Sequence, residues 1–260
     1  MILVLGQGLL GKTLSTLYPD TVGIGHEDFD ICSPEQVYAI LDRYKPTYVI
    51  NCVGVVPKSP TYKSTMDVLR INALGPRLLS EACFEFNCRL IHISTDCVFS
   101  GSLGNYSDID IPNPDTLYGM SKFLGELDDK NEHVTFRTSF VGFPDPTQRG
   151  LLYWFKYAEN PVEGYVNSWW NGLTTVELSH YIMSHLDIIS GLHHVSNKTH
   201  INKHDLLVLA NEVYGWEKEI IPVEDPKLDR TLYSETVDKD YRTMLEEMKA
   251  QLGDLDEGLS

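Results

Sequence analysis

The chain opens as a strand and runs straight into a glycine-punctuated helix start, an order that few folds accommodate. Met1–Leu5 is an unbroken apolar run, and Gly6-Gln7-Gly8-Leu9-Leu10-Gly11 follows it at once. In that context Gly6 would allow a tight turn, Gly8 would let the backbone approach a pyrophosphate, and Gly11 would let helix and sheet touch. The helix N-terminus would favour the negative charge. The same residues also suit a plain strand-to-helix turn that binds nothing. Five apolar residues fall far short of a secretory h-region or the ~20 of a membrane span. Folded structure is therefore expected from the first residue, in a chain that is neither exported nor inserted.

The rest of the first half keeps the same rhythm. Apolar runs at Thr21–Ile24, Tyr48–Val53, Leu90–Ser94 and Val134–Arg137 read as central parallel strands, because none alternates as a strand with one wet face does. Leu9–Leu17, Pro34–Tyr44, Val68–Glu85 and Leu117–Asp129 carry apolar residues three and four apart and read as helices. Strand alternating with helix predicts an α/β fold, a Rossmann-type doubly wound parallel sheet. Beyond about residue 140 the pattern changes to clustered aromatics (Trp154, Phe155, Trp169, Trp170), Pro/Gly turns, a helix over Lys203–Tyr214 and a short last helix from Tyr241. The expected organisation is a dinucleotide-binding domain over 1–141, with 173–197 returning to it. A smaller substrate-binding lobe would use 142–172 and 198–260, closing a cleft at the strands' carboxyl ends, with a loose tail from Gly253.

Composition narrows the partners. With 37 acidic and 21 basic side chains the formal charge is -16, the wrong sign for neutralising phosphates in sequence-independent nucleic-acid binding. Five cysteines without a CxxC pair indicate neither a disulfide framework nor a four-thiolate zinc site, and a reduced, cytoplasmic setting fits them. His200 and His204 are four apart, but a helix starting near Asn202 leaves His200 outside it, so no metal is expected.

Tyr118-Gly119-Met120-Ser121-Lys122 sets a phenol and an ammonium one helical turn apart. With 14 tyrosines such spacing is cheap, and Tyr214…Lys218 repeats it. Position separates the two, since Tyr118 opens the helix that comes after a strand ending in Ser94-Thr95-Asp96, whereas Tyr214 lies late in a helix of the second lobe. Hydride transfer to a ketone builds negative charge on oxygen. A tyrosine can protonate that oxygen if an ammonium draws down its pKa from ~10. Lys122 would do so, and the Thr95 hydroxyl would hold the developing alkoxide. Taken alone, Thr95 reads better as an ordinary strand-end threonine.

These motifs resemble the extended short-chain dehydrogenase/reductases, and within them the dTDP-4-dehydrorhamnose reductase family. The likeness runs through Val4–Gly11, Ile50–Gly54, Asn72-Ala73, Ile91–Gly101 (IHISTDCVFSG), Asn105-Tyr106, Tyr118–Glu126 (YGMSKFLGE), Arg137–Ser139, Gly172–Thr175 and Asp229-Arg230. The resemblance implies NADPH- or NADH-dependent reduction of the 4-keto group of a nucleotide-linked deoxysugar, a cytoplasmic enzyme and a homodimer. It implies Thr95, Tyr118 and Lys122 as the catalytic set, and cofactor contacts at Gly6–Gly11, Asp30-Ile31 on the adenine side and Cys52-Val53-Gly54. Thr95, Asp96, Cys97, Phe140 and Arg230 are then expected to face substrate. Lys58, Arg149, Lys203 and Trp154 are further candidates. Glu27 or Asp28 would suit a ribose 2′-hydroxyl, with His26 and Lys12 as weak alternatives for a 2′-phosphate.

Departures from the family bear on the substrate. Leu5 stands where the first glycine of a GxxGxxG loop falls, Cys97 replaces the tyrosine that often follows Ser-Thr-Asp, and the later GxPT loop reads Gly172-Leu173-Thr174. Dehydratase relatives carry Asp-Glu after the catalytic threonine, and Cys97 in place of the glutamate argues against that chemistry. Epimerase-reductases resembling GDP-fucose synthase carry a cysteine where Cys97 stands, but they pair it with a histidine. Cys97 is otherwise a small buried thiol. Some proteins resembling this family are regulatory subunits, such as the beta subunit of methionine adenosyltransferase.

Overall fold

A computed structural model of the chain describes residues 1–57, 63–127, 133–142, 150–187 and 190–253. The elements run β1 (Ile2–Leu5), α1 (Leu9–Leu17), β2 (Thr21–Ile24), α2 (Pro34–Tyr44), β3 (Tyr48–Asn51), α3 (Thr65–Leu69), a π-helical turn (Arg70–Leu74), α4 (Gly75–Glu85), β4 (Arg89–Ile93), a 3-10 turn (Asp96–Val98), α5 (Leu117–Gly125) and β5 (Val134–Thr138). Then follow β6 (Phe140–Val141), α6 (Leu151–Tyr157), β7 (Val162–Tyr165), β8 (Ser168–Trp170), β9 (Leu173–Thr174), α7 (Thr175–Ser184), β10 (Gly191–Val195), β11 (Ile201–Asn202), α8 (Lys203–Tyr214), β12 (Ile220–Val223), β13 (Leu228–Asp229) and α9 (Tyr241–Leu252). Among the described residues no helix is long and apolar enough to cross a membrane.

The described residues form two compact units. The first draws on Met1–Ser100, Ile111–Arg137 and Ile182–His193, the second on Gly101–Asp110, Thr138–Tyr181 and His194–Ser260. The six-stranded sheet has the order β10-β5-β4-β3-β1-β2, and its pairings from β2 across to β5 are parallel. This is the doubly wound α/β arrangement expected. Leu3, Leu5, Val49 and Leu90 on one face meet Val37 and Leu41 of α2 and Leu79 and Ala82 of α4 in a continuous core. Chain order reverses between β1 and β3, so the crevice of an open α/β sheet lies beyond their carboxyl ends.

Three expectations are corrected. Thr21–Ile24 forms a strand but closes the edge of the sheet, with Gly23 exposed and Thr21 and Val22 only partly covered. A short apolar run looks the same in either place. Val68–Glu85 is not one α-helix: the segment starts earlier, at Thr65 under the Ser64 cap, and widens to a π turn before α4 resumes. The helix expected over Leu117–Asp129 gives way at Gly125, with Glu126 already in extended geometry, and 128–129 lie outside the described residues.

In the second unit, β8 lies between β11 and β13, β12 pairs with β7, and β6 pairs with β9. Trp170 anchors it: its indole N–H donates to Ser139 Oγ at 2.8 Å, Lys203 Nζ lies 4.7 Å over its ring, and Tyr241 of α9 packs 5.8 Å away. Asn202 caps α8 by accepting from the Asp205 N–H, so His200 precedes the helix. No cluster able to hold a metal ion occurs among the described residues.

Candidate active site in the first unit

The glycine loop fills the β1/β3 crevice. Gly6 has φ +90, and a Cβ there would lie 2.7 Å from the Val53 nitrogen, so both conformation and space demand glycine. Gly11 is equally tight, since a Cβ would come within 1.9 Å of the Gly6 carbonyl oxygen. Gly8 differs: its φ is -78, which any residue adopts, and a Cβ there would meet nothing within 4 Å. It is the N-cap of α1, makes no side-chain cap bond, and is followed by no acidic residue in the first turn. Open space beside unprotected helix N–H groups fits a pyrophosphate. Gly8→Val is therefore expected to leave the melting temperature within ~2 °C, since the site is exposed and unstrained. If the loop holds a dinucleotide, the same change should weaken its binding at least tenfold by fluorescence titration; unchanged affinity would remove the loop from the candidate site.

The neighbouring residues take definite positions. Leu10 is buried, while the Gln7 side chain folds back against Gly23 of β2, its amide 3.5 Å from the Val4 carbonyl. Cys52-Val53-Gly54 follows β3, with the Cys52 N–H bound to the Leu5 carbonyl at 2.8 Å. Ile31 belongs to the hydrophobic core and packs on Gly75, and exposed Asp30 accepts the Cys32 N–H at 2.9 Å. His26, Glu27 and Asp28 are exposed after β2.

Thr95, Tyr118 and Lys122 come together through close backbone approach. Thr116 caps α5 by accepting the Gly119 N–H at 3.1 Å. A Cβ at Gly119 would lie 2.0 Å from the Cys97 carbonyl oxygen, and one at Gly125 2.0 Å from that of Asn72. Both ends of α5 thus press against other backbone. The result brings the Tyr118 phenol into hydrogen-bond reach of the Thr95 hydroxyl. It also sends the buried Lys122 ammonium to the Ile93 carbonyl at 2.7 Å. Thr95 further donates to Asp96 Oδ1 at 3.1 Å and accepts the Cys97 N–H at 3.2 Å.

The electrostatics differ from expectation at the phenol. Burial pushes the Tyr118 hydroxyl well above its ordinary range, Cys97 and Asp96 push it further, and the Thr95 hydrogen bond opposes them. The anticipated lowering by an ammonium is not found: the phenol sits in a desolvated site, and the groups that act on it are Cys97, Asp96 and Thr95. Lys122 moves the other way: burial lowers it to about 8, with Glu126 and then Cys52 holding it up. Burial likewise drives the Cys52 thiol up to about 12.

Several functional-looking residues were given no role in the sequence reading. Buried Asn72, in the π turn, accepts the Val55 N–H at 2.8 Å and donates to the Val55 carbonyl at 2.8 Å and to Ser121 Oγ at 2.9 Å. It ties the segment after β3 to α5. Asn51 and His92, paired across β3 and β4, contact each other at 3.1 Å. Burial and the nearby Lys122 hold His92 neutral, well below its usual range. The readable signal was a polar residue at the inward position of an apolar strand.

A family model for the RmlD substrate binding domain matches residues 1–232. The chain belongs to the RmlD substrate binding domain family. This RmlD-family chain is 31% identical over 150 residues to a dTDP-4-dehydrorhamnose reductase of Aggregatibacter actinomycetemcomitans, covering 54% of this chain and 51% of that one. It is also 27% identical over 135 residues to methionine adenosyltransferase 2 subunit beta of Xenopus tropicalis, covering 46% and 39%. The RmlD-family chain thus spans about half the length, or less, of these curated relatives. Among solved structures, the dTDP-4-dehydrorhamnose reductase of Bacillus anthracis in complex with NADP shares the fold, with a TM-score of 0.85 at 20% identity over 96% of this chain and 98% of that one.

The remaining candidates of the RmlD-family chain lie in its second unit or outside the described residues. Phe140 is half-buried in β6, Arg230 follows β13 with its side-chain stem against Gly101, and Trp154 is 50% exposed on α6. Lys58 and Arg149 lie outside the described residues.

Proposed function

We propose that this chain reduces the 4-keto group of a nucleotide-linked deoxysugar, with NADPH or NADH as co-substrate. The observation that supports this best is the meeting of Thr95, Tyr118 and Lys122 at the carboxyl end of β4. A bound reduced nicotinamide supplies the hydride. The chain's own residues do the rest. Tyr118 Oη, protonated across the working range, gives its proton to the oxygen on which charge develops. Thr95 hydrogen-bonds that same oxygen, and donors already in place cost no reorganisation during reaction. Lys122 holds the nicotinamide ribose. Gly6–Gly11 cradles the pyrophosphate, Cys52–Gly54 lies beside it, and Asp30-Ile31 stands on the adenine side. Asp96, Cys97, Phe140 and Arg230 are proposed to contact substrate.

The raised phenol is compatible with this direction, because a proton donor must be loaded before it can act. The experiment is a panel of dTDP-, UDP- and GDP-linked 4-keto-6-deoxysugars offered with NADPH and NADH separately, following loss of the reduced nicotinamide. At least one combination is expected to turn over. Cofactor binding without turnover on any sugar, together with copurification with a larger synthetase, would overturn the reductase reading in favour of a regulatory subunit.

A second reading has one observation behind it. Cys97 lies close enough to act on the Tyr118 phenol, where a thiol could exchange a proton with sugar carbon. Solvent deuterium at C3 or C5 of the product, lost in Cys97→Ser, would favour an epimerase-reductase; unlabelled product is expected for simple reduction.

A further inference from the structure

The helix that carries Tyr118 and Lys122 runs into a buried ion pair that the chemistry above leaves unused. Glu126 and Arg137 are only 6% and 4% exposed. The pair is bidentate, with Arg137 Nε on Glu126 Oε1 and Nη2 on Oε2, both at 2.8 Å. Ser94 Oγ donates to the same carboxylate at 2.7 Å, and the guanidinium lies 5.2 Å over the Phe99 ring. Moving two charges out of water costs several kcal/mol per ion, and apolar residues often serve as well or better. Stability alone is thus a weak reason for the pair.

Its place supplies a stronger one. Glu126 lies just past the end of α5, and its carboxylate is held by Ser94, the residue after Ile93, whose carbonyl accepts from Lys122 Nζ. The buried ammonium has a direct bond to the Ile93 carbonyl, and a carbonyl offers a dipole but no counter-charge. We propose that Glu126, clamped by Arg137 and Ser94, is a positioning residue that supplies the fixed negative charge for the Lys122 ammonium. The proposal rests on the role given to Lys122 under the proposed function.

The surroundings of Lys122 bear this out. It faces Glu126 at the end of α5, the neutral His92 of β4 and, from the end of β3, the thiol of Cys52. The elements packed on α5 add Asp67 of α3, which accepts from Ser64, and the exposed Arg70 of the π turn. They also add Arg77 of α4, whose guanidinium is bound to the Leu124 and Glu126 carbonyls, and Asp96, which accepts from Thr95. Against burial, Glu126 is the foremost influence keeping the lysine protonated, ahead of Cys52.

The test reads the lysine directly. Side-chain nitrogen NMR, with Lys122→Met to assign the resonance, and NADPH affinity against pH would be followed in the native protein and in Glu126→Gln. The native midpoint is expected at about 8. In Glu126→Gln it should fall by a unit or more, so that NADPH affinity at pH 7.5 drops severalfold more than at pH 6. Because Glu126→Gln strands a buried guanidinium and can fail to fold, the double variant Glu126→Gln/Arg137→Met is measured alongside, with the same downward shift expected. An unchanged midpoint in either folded variant overturns the proposal. A native protein inactive on every keto sugar but showing the shift would instead overturn the reductase reading and leave the positioning role standing.

Discussion

Tyr118→Phe is expected to lower turnover of the keto sugar by about 10²–10⁴-fold, the usual weight of a positioned general acid, with NADPH affinity kept within about twofold. The ring remains and only Oη is lost, with its hydrogen bond to Thr95. The proton is needed at the transition state and not for binding, so kcat and kcat/KM should fall together. Because the phenol is pushed up, it stays protonated through the neutral and mildly alkaline range. The pH profile of ketone reduction should therefore show no loss from Tyr118 up to about pH 9, while the reverse oxidation, which needs the phenolate, should climb with pH. Near-native reduction by the phenylalanine variant would take Tyr118 out of the chemistry.

Lys122→Met is expected to separate activity from stability. Loss of the ammonium should weaken NADPH binding at least tenfold and reduce turnover further. The folded protein should gain, because it now holds a lysine whose pKa is lowered to about 8 from 10.5. The unfolded chain binds more protons than the folded one between those values, so stability rises with pH through that window and the penalty is fully present below about pH 8. The penalty is at most ~3 kcal/mol, and the unpartnered Ile93 carbonyl returns about 1 kcal/mol of it. The variant should accordingly melt a few degrees higher at pH 7, with the advantage vanishing near pH 10.5. Calorimetry across that range checks it; a lower melting temperature at pH 7 would mean that the lysine is not desolvated.

How far these features could be read in advance depended on whether the cause was local. The starts of α1, α2 and α8 were legible because they are marked locally: Gly8, Ser33 with Pro34, and Asn202 sit where a cap belongs. The π turn was not, since Arg70–Leu74 holds nothing that a regular helix would refuse. The edge position of β2 depends on strand order, which four apolar residues do not encode. In the second unit, strands of two to four residues pair across long separations, as Ile201 does with Trp170, and no periodicity survives in so few residues. The Tyr118–Lys122 spacing was visible, but the direction in which the phenol moves was not. That depends first on the burial of the phenol, and then on Cys97 and Asp96 being folded against it. Arg137 passed as the end of an apolar strand, and only the fold reveals Glu126 as its counterpart.

The widened turn ahead of α4 has an evolutionary consequence. A single-residue deletion in Arg70–Leu74 that spares Asn72 would restore ordinary helical winding and rotate Asn72 by roughly 100°, away from Val55 and Ser121. The stretch should thus resist changes of length more strongly than changes of side chain. Among divergent descendants, gaps ought to collect in the outer connections and spare these five positions.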